Sequence, residues 1–218
     1  MKSKVKISLL LIMSFVFFSL PNVAISTEQS QHKIVIFKEG VKDSITSEII
    51  AKVGGSIKKP LPLIHGKAIV LPTKAAEKAL KQYPEVLRID EDIQITITKA
   101  PATSVQPAQS LPWGVDRIDA ELAWVSSTGQ AVKVAIIDTG VDRNHPDVLA
   151  NIKGGINTIN SAKTFQDDNG HGTHVAGIIG AVNNSIGVVG TAPQVEIYSV
   201  KVLGRTGSGY LSDIIEGL

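Results

Sequence analysis

The side chains best placed to do chemistry are an aspartate and a histidine about thirty residues apart. Asp138 closes the apolar run V-A-I-I-D-T-G, and His171 opens H-G-T-H-V-A-G. A carboxylate that orients an imidazole, with the imidazole as general base, supplies two of the three groups of a nucleophilic triad. Nothing in the 218 residues reads as the third, the nucleophile. Other readings of these residues are open. Asp138 could simply cap the turn that follows it. His174, one turn after His171, is expected to pack or hydrogen-bond within the fold. A zinc pair is disfavoured, because helical zinc histidines stand at i, i+4 beside a glutamate. An aspartic-protease reading of D-T-G needs two carboxylates in one site, and the motif occurs once.

These two groups need a strand end and a helix start. Val132 to Ile137, interrupted only by Lys133, is a Val/Ile/Ala run, as expected for a strand buried on both faces of a parallel sheet. Asp138 then lies at the strand end, where open α/β sheets place functional groups. A helix is predicted from His171 or Gly172 to about Val182, with Val175, Ile178, Ile179 and Val182 at i, i+3, i+4 and i+7. Gly172, Ala176, Gly177, Gly180 and Ala181 lower its propensity and point to close backbone packing. At a helix start the macrodipole opposes a positive ring, and a general base is neutral at rest. Val195 to Leu203 is a second strand. Leu211, Ile214, Ile215 and Leu218 form a further helical stripe without a C-cap, which reads as part of a longer protein.

Upstream, Lys2, Lys4 and Lys6 precede the apolar run Ile7 to Leu20, and Ala24-Ile25-Ser26 offers small residues for cleavage. This is the pattern of a secretory signal, and the run is too short for a stable membrane anchor. An exported chain with no cysteine must draw stability from core burial or bound ions. The net charge is +2, three of whose positive charges sit in that leader, so nothing favours nucleic acid as a partner. From His32 to Thr98 the pattern runs strand, helix, strands, helix, strand. Asp43 is the expected cap of the first helix, and Gly54-Gly55 and Pro84 are stops. This suits a small α+β unit with helices on one face of an antiparallel sheet. Lys99 to Ser110 reads as an exposed linker open to proteolysis.

V-K-V-A-I-I-D-T-G, H-P-D, D-N-G-H-G-T-H-V-A-G, N-N-S-I-G-V-V-G-T-A-P and Y-S-V-K-V-L-G-x-x-G-S-G-Y occur in one order over Gln106 to Leu218. In this the chain resembles the N-terminal half of a catalytic domain of the subtilisin family of serine proteases. The resemblance implies an α/β fold, an incomplete subtilisin-like parallel sheet with helices on both faces, preceded by a ferredoxin-like α+β propeptide. It implies a signal at 1–26, an inhibitory propeptide at 27–104 and the N-terminal half of the protease domain at 105–218, with the mature start near Ala108. Asp138 becomes the orienting acid and His171 the base. Gly207, Ser208 and Gly209 become an edge strand that binds extended substrate. A structural calcium is implied, held by side chains of Gln109, Asp147 and Asn184 and carbonyls of Val182, Ile186 and Val188. Ser208 and Ser212 occupy positions that are not the nucleophile. The implied whole is a secreted endopeptidase that acts on polypeptide substrates and is held inactive by its own propeptide. The alternative is a non-catalytic secreted inhibitor or chaperone-like remnant of a protease.

Overall fold

The structure, a computed structural model, describes residues 30–98 and 106–218. The leader expected at 1–26 lies outside the described residues, as does the 99–105 part of the linker. The N-terminal unit runs β1 (Gln31–Phe37), α1 (Asp43–Lys52), β2 (Ser56–Leu61), β3 (Gly66–Leu71), α2 (Lys74–Leu80) and β4 (Val86–Glu91). Its sheet is antiparallel in the order β2-β3-β1-β4, a ferredoxin-like arrangement. Val35, Phe37 and Ile69 of the sheet close on Ile49, Ile50 and Leu80 of the helices. Thr73 caps α2 by accepting from Ala76 N at 3.1 Å, which satisfies an otherwise orphaned donor. Asp43 is not the cap of α1. Lys42 holds that position, and the Asp43 carboxylate pairs with Lys67 at 2.7 Å. The β2 strand is hidden in sequence by Lys58, Lys59 and Pro60, and it survives because it is an edge, where proline is tolerated.

The C-terminal unit contains α3 (Trp113–Asp116), α4 (Ala120–Ala123), β6 (Lys133–Asp138), β7 (Ile152–Asn157), α5 (His171–Gly180), β8 (Glu196–Lys201), β9 (Ser208–Tyr210) and α6 (Leu211–Gly217), while β5 (Gln94–Thr96) belongs to the N-terminal side. Three strands make a parallel sheet, β6-β8-β7. Ile136, Val195 and Ile197 pack with Ala176 of α5 on one face. On the other face Val200 and Val202 meet Ile214 of α6. Helices therefore lie on both faces, incompletely. This corrects the reading of β6 as buried on both sides: Ile136 is buried and Ile137 is 39% exposed, because α6 covers only the β8 end of that face. The glycine-rich β7, I-K-G-G-I-N, carries too few apolar residues to announce itself.

The small residues of α5 do the packing expected of them. Gly172, Ala176 and Gly180 are its buried positions. A Cβ on Gly172 would run into the carbonyl oxygen of Gly140, and one on Gly180 would meet Val195. The branched positions are less buried than their spacing implies, and Ile178 is 48% exposed. The helix approaches the sheet on its bare face, which leaves the branched residues at the flanks.

The two units touch along β5. That strand leaves its own sheet and pairs antiparallel with β9, through Gln94↔Tyr210, Ile95↔Gly209 and Thr96↔Ser208. Leu211 and Ile215 of α6 pack on Ile34, Leu61 and Ala68 of the N-terminal sheet. The stripe read from 211 to 218 is therefore shared between both units. Among the described residues no helix is long and apolar enough to cross a membrane.

Candidate active site

Asp138 ends β6 opposite Lys201 of β8. Its carbonyl accepts from Val202 N at 2.9 Å and Leu203 N at 3.2 Å, so its main chain is fixed by the neighbouring strand. Its Oδ1 accepts from Thr139 N at 2.6 Å. His171 opens α5, and its Nδ1 lies 2.9 Å from Asp138 Oδ1 and 2.8 Å from Oδ2. The Asp138 side chain is 12% exposed and the imidazole 33%. An ionised carboxylate only accepts, so Nδ1 carries the proton and Nε2 keeps its lone pair. An acid held on a strand end, and a base oriented by it with one edge open, suit proton transfer to and from a substrate.

Asp167 organises the turn before His171. Its Oδ1 accepts from Asn169 N, Gly170 N and Thr139 Oγ1, each at 2.9 Å. Its Oδ2 accepts from Thr173 N at 3.0 Å and Thr173 Oγ1 at 2.6 Å. Thr139 Oγ1 in turn accepts from Gly172 N at 2.9 Å. One carboxylate thus ties the residue after the acid to the residue after the base. Burial alone would push the Asp167 carboxyl up. The hydrogen bonds from Gly170 N, Thr173 Oγ1, Asn169 N and Thr173 N outweigh it and hold the group below the usual carboxylate range. The folded value is depressed, so this contribution is intact above the unfolded carboxylate value of about 4 and is lost as pH falls through the folded value. Urea unfolding from pH 7 down to pH 2 should therefore show a steeper acid loss for the parent chain than for Asp167→Asn.

Two further residues join the loops around the pair. Asn169 is buried. Its Oδ1 accepts from His171 N at 3.2 Å, and its Nδ2 donates to Arg205 O at 3.0 Å. The Lys201 ammonium is also buried and donates to Thr139 O, Leu203 O and Asp168 Oδ1 at 2.5, 2.9 and 2.7 Å. Sequence reading missed Asp167, Asn169 and Lys201. The run D-D-N-G before a helix start was the available signal for the first two, since such residues cap helices. His174 corrects an expectation, being exposed on the same outer side of α5 as Ile178.

The segment expected to be an edge strand forms β9, spanning Ser208–Tyr210. Gly207 lies just before it, and its carbonyl accepts from Ile97 N at 2.9 Å. Gly209 faces Ile95 in the ladder. A Cβ on Gly207 would stand 3.4 Å from Asn169 Nδ2, which puts this edge beside the turn that carries His171. The Ser208 hydroxyl is engaged by Thr96 Oγ1 at 2.9 Å, and the Ser212 hydroxyl donates to Asp92 at 2.8 Å.

The six residues expected to cradle a cation also come together. Asp147 accepts from Asn184 Nδ2 at 3.1 Å and Val188 N at 2.8 Å, and its carbonyl accepts from Val182 N at 2.8 Å. Gln109 Oε1 accepts from Asn184 N at 2.5 Å, and Asn184 Oδ1 from Ile186 N at 2.7 Å. Part of the expected linker belongs here, because Ala108 bridges Ile186 and Ser110 bridges Val188. Asp147 is 2% exposed, and among the described residues the hydrogen-bond donors to its carboxylate, Asn184 Nδ2 and Val188 N, are neutral. Among the described residues no three His, Cys, Asp or Glu side chains gather as a metal cluster. Val182, Ile186 and Val188 enter these contacts through their N–H groups. A set of one carboxylate with amide and carbonyl oxygens, as expected from the sequence, would suit a hard cation such as calcium.

Residues 129–218 match the profile of the subtilase family. The chain is 39% identical to subtilisin J of Geobacillus stearothermophilus, over 99% of this chain and 56% of that protein. It is 39% identical to subtilisin E of Bacillus subtilis (strain 168), over 97% of this chain and 54% of that protein. An alkaline protease of Alkalihalobacillus alcalophilus is 48% identical over 64% of this chain and 34% of its own length. The chain spans about half the length of the first two relatives. With Asp138 and His171 paired inside the matched region, the chain belongs to the subtilase family.

Proposed function

We propose that the protein is a secreted serine endopeptidase of subtilisin type, made as a zymogen. The observation that carries this reading is the contact of His171 Nδ1 with both Asp138 oxygens, at a strand end and a helix start. In the reaction, Nε2 of His171 takes the proton of a serine hydroxyl as that oxygen attacks the scissile carbonyl. The imidazolium is stabilised by Asp138 and then gives the proton to the leaving amine. The serine would come from sequence outside these 218 residues, and β9 would pair with extended polypeptide substrate.

The N-terminal unit is its inhibitory propeptide in this reading. Support comes from β5, which lies on β9 as a substrate strand would. Calcium would be held by Gln109, Asp147, Val182, Asn184, Ile186 and Val188. When bound, it supplies the positive charge that the buried Asp147 carboxylate otherwise lacks, and so stabilises that loop.

Treating the processed full-length protein with a fluorophosphonate should label one serine, and His171→Ala should abolish labelling. The 218-residue chain alone should turn over no peptide. Failure to label folded, processed protein would leave the non-catalytic remnant as the better account.

A further inference from the structure

Besides the hydrogen bonds of Ser208 to Thr96 and Ser212 to Asp92 and the stacking of Tyr210 on His32, three contacts that join the N-terminal unit to the C-terminal one differ in how much they discriminate. The β5–β9 pairing is made by main chain and is indifferent to sequence. The packing of Leu211 and Ile215 on Ile34, Leu61 and Ala68 is apolar and tolerates exchange of similar side chains. The third contact is ionic. Lys59 Nζ donates to Asp213 Oδ1 at 2.5 Å, Glu216 Oε2 at 2.7 Å and the Thr158 carbonyl at 2.7 Å. Those are the three donors an ammonium has.

The surroundings of this contact are built for it. The register of β2 against β3 shifts between Ile57 and Lys59, and a bulge of this kind re-aims a side chain. Lys59 is consequently half-buried between exposed Lys58 and exposed Pro60. On the other side Asp213 is 6% exposed, and its second oxygen accepts from Tyr210 N at 3.0 Å at the start of α6. It cannot swing away without uncapping that helix. Burial pulls the Lys59 ammonium down, and the hydrogen bonds to Asp213 and Glu216 outweigh it and keep the group charged.

We propose that Asp213, Glu216 and the Thr158 carbonyl form a receptor for one lysine ammonium, and that Lys59 is how the C-terminal unit distinguishes its own N-terminal unit from other polypeptides. A polypeptide that adds a strand to β9 without placing a cation over α6 leaves the buried Asp213 carboxylate without its counter-ion, beside the like charge of the more exposed Glu216. Unpaired charges of this sort reject wrong partners more strongly than correct contacts attract right ones. The partner class is therefore a polypeptide presenting both an edge strand and a lysine at this spacing. An arginine, planar and forked, does not meet three converging acceptors in the same way.

The proposal rests on the N-terminal unit being the natural partner of this surface, and it is testable without catalysis. In the full 218-residue chain, amide exchange at Ile97 and Leu211 reports opening of the interface, since they donate to Gly207 O and Ile93 O. Lys59→Glu should speed exchange at both by about tenfold or more, with amides of β3 changed by less than about twofold. Adding Glu216→Lys should recover most of the loss, as a coupled pair requires. Unchanged interface exchange, an equal rise throughout the chain, or no recovery in the double variant would each overturn the proposal. If exchange behaves as expected but the N-terminal unit fails to inhibit the full-length enzyme, the zymogen reading falls and the ammonium receptor stands.

Discussion

In the full-length protein, Asp138→Asn is expected to lower kcat for peptide hydrolysis by about 10⁴-fold while changing KM by less than about threefold. The reason lies in one atom. His171 Nδ1 sits within 2.9 Å of both Asp138 oxygens, so an ionised Asp138 fixes the proton there whichever oxygen dominates. An asparagine amide turned toward the ring donates instead, and Nδ1 must then accept. The proton moves to Nε2, where the base needs its lone pair. The backbone is untouched by this change. Val202 N and Leu203 N bond the main-chain carbonyl of residue 138, and asparagine Oδ1 still accepts from Thr139 N. The loss should therefore appear in initial rates with a peptide substrate, with near-ultraviolet circular dichroism unchanged. A fall of less than tenfold in folded enzyme would remove Asp138 from its assigned role.

Why some of this was legible in the sequence and some was not follows from where each signal is written. Asp138 and His171 announce themselves because each stands at the boundary of a periodic segment, a strand end and a helix start. Asp167, Asn169 and Lys201 do not. Their work is done through hydrogen bonds to residues such as Thr139, Arg205 and Leu203, and such partners are fixed by the fold and not by spacing. The same applies to strands. The run at β6 is read at once, whereas β7 is glycine-rich and β2 carries two lysines and a proline. Both exist because neighbours on the sheet complete their ladders. The stripe of α6 was visible as helical, but which surface it faced was not. Leu211 and Ile215 pack on the N-terminal unit and Ile214 on the β8 face, a division that periodicity cannot express. Alternation in Ile93, Ile95 and Ile97 marked an extended segment, and only tertiary structure shows it pairing with β9.

The cation site proposed around Asp147 gives the other large expected effect, and its sign depends on conditions. Asp147 is almost fully buried, and its carboxylate meets the neutral donors Asn184 Nδ2 and Val188 N. A buried charge without an opposite charge is costly, so the site is a burden until a cation arrives. Calcium at a hundredfold over its Kd should stabilise the folded chain by about 2.7 kcal/mol, or roughly 5–10 °C in Tm for a chain of this size. Asp147→Asn should abolish that increment, because the remaining donors are neutral oxygens. In chelator the order should reverse. The asparagine keeps an acceptor for Val188 N and carries no charge, so the variant should melt at or above the parent's temperature. Paired melting curves of both chains, in calcium and in chelator, decide the matter. A parent chain that melts at one temperature in both conditions would mean that Asp147 is a structural acceptor and that no calcium binds this loop.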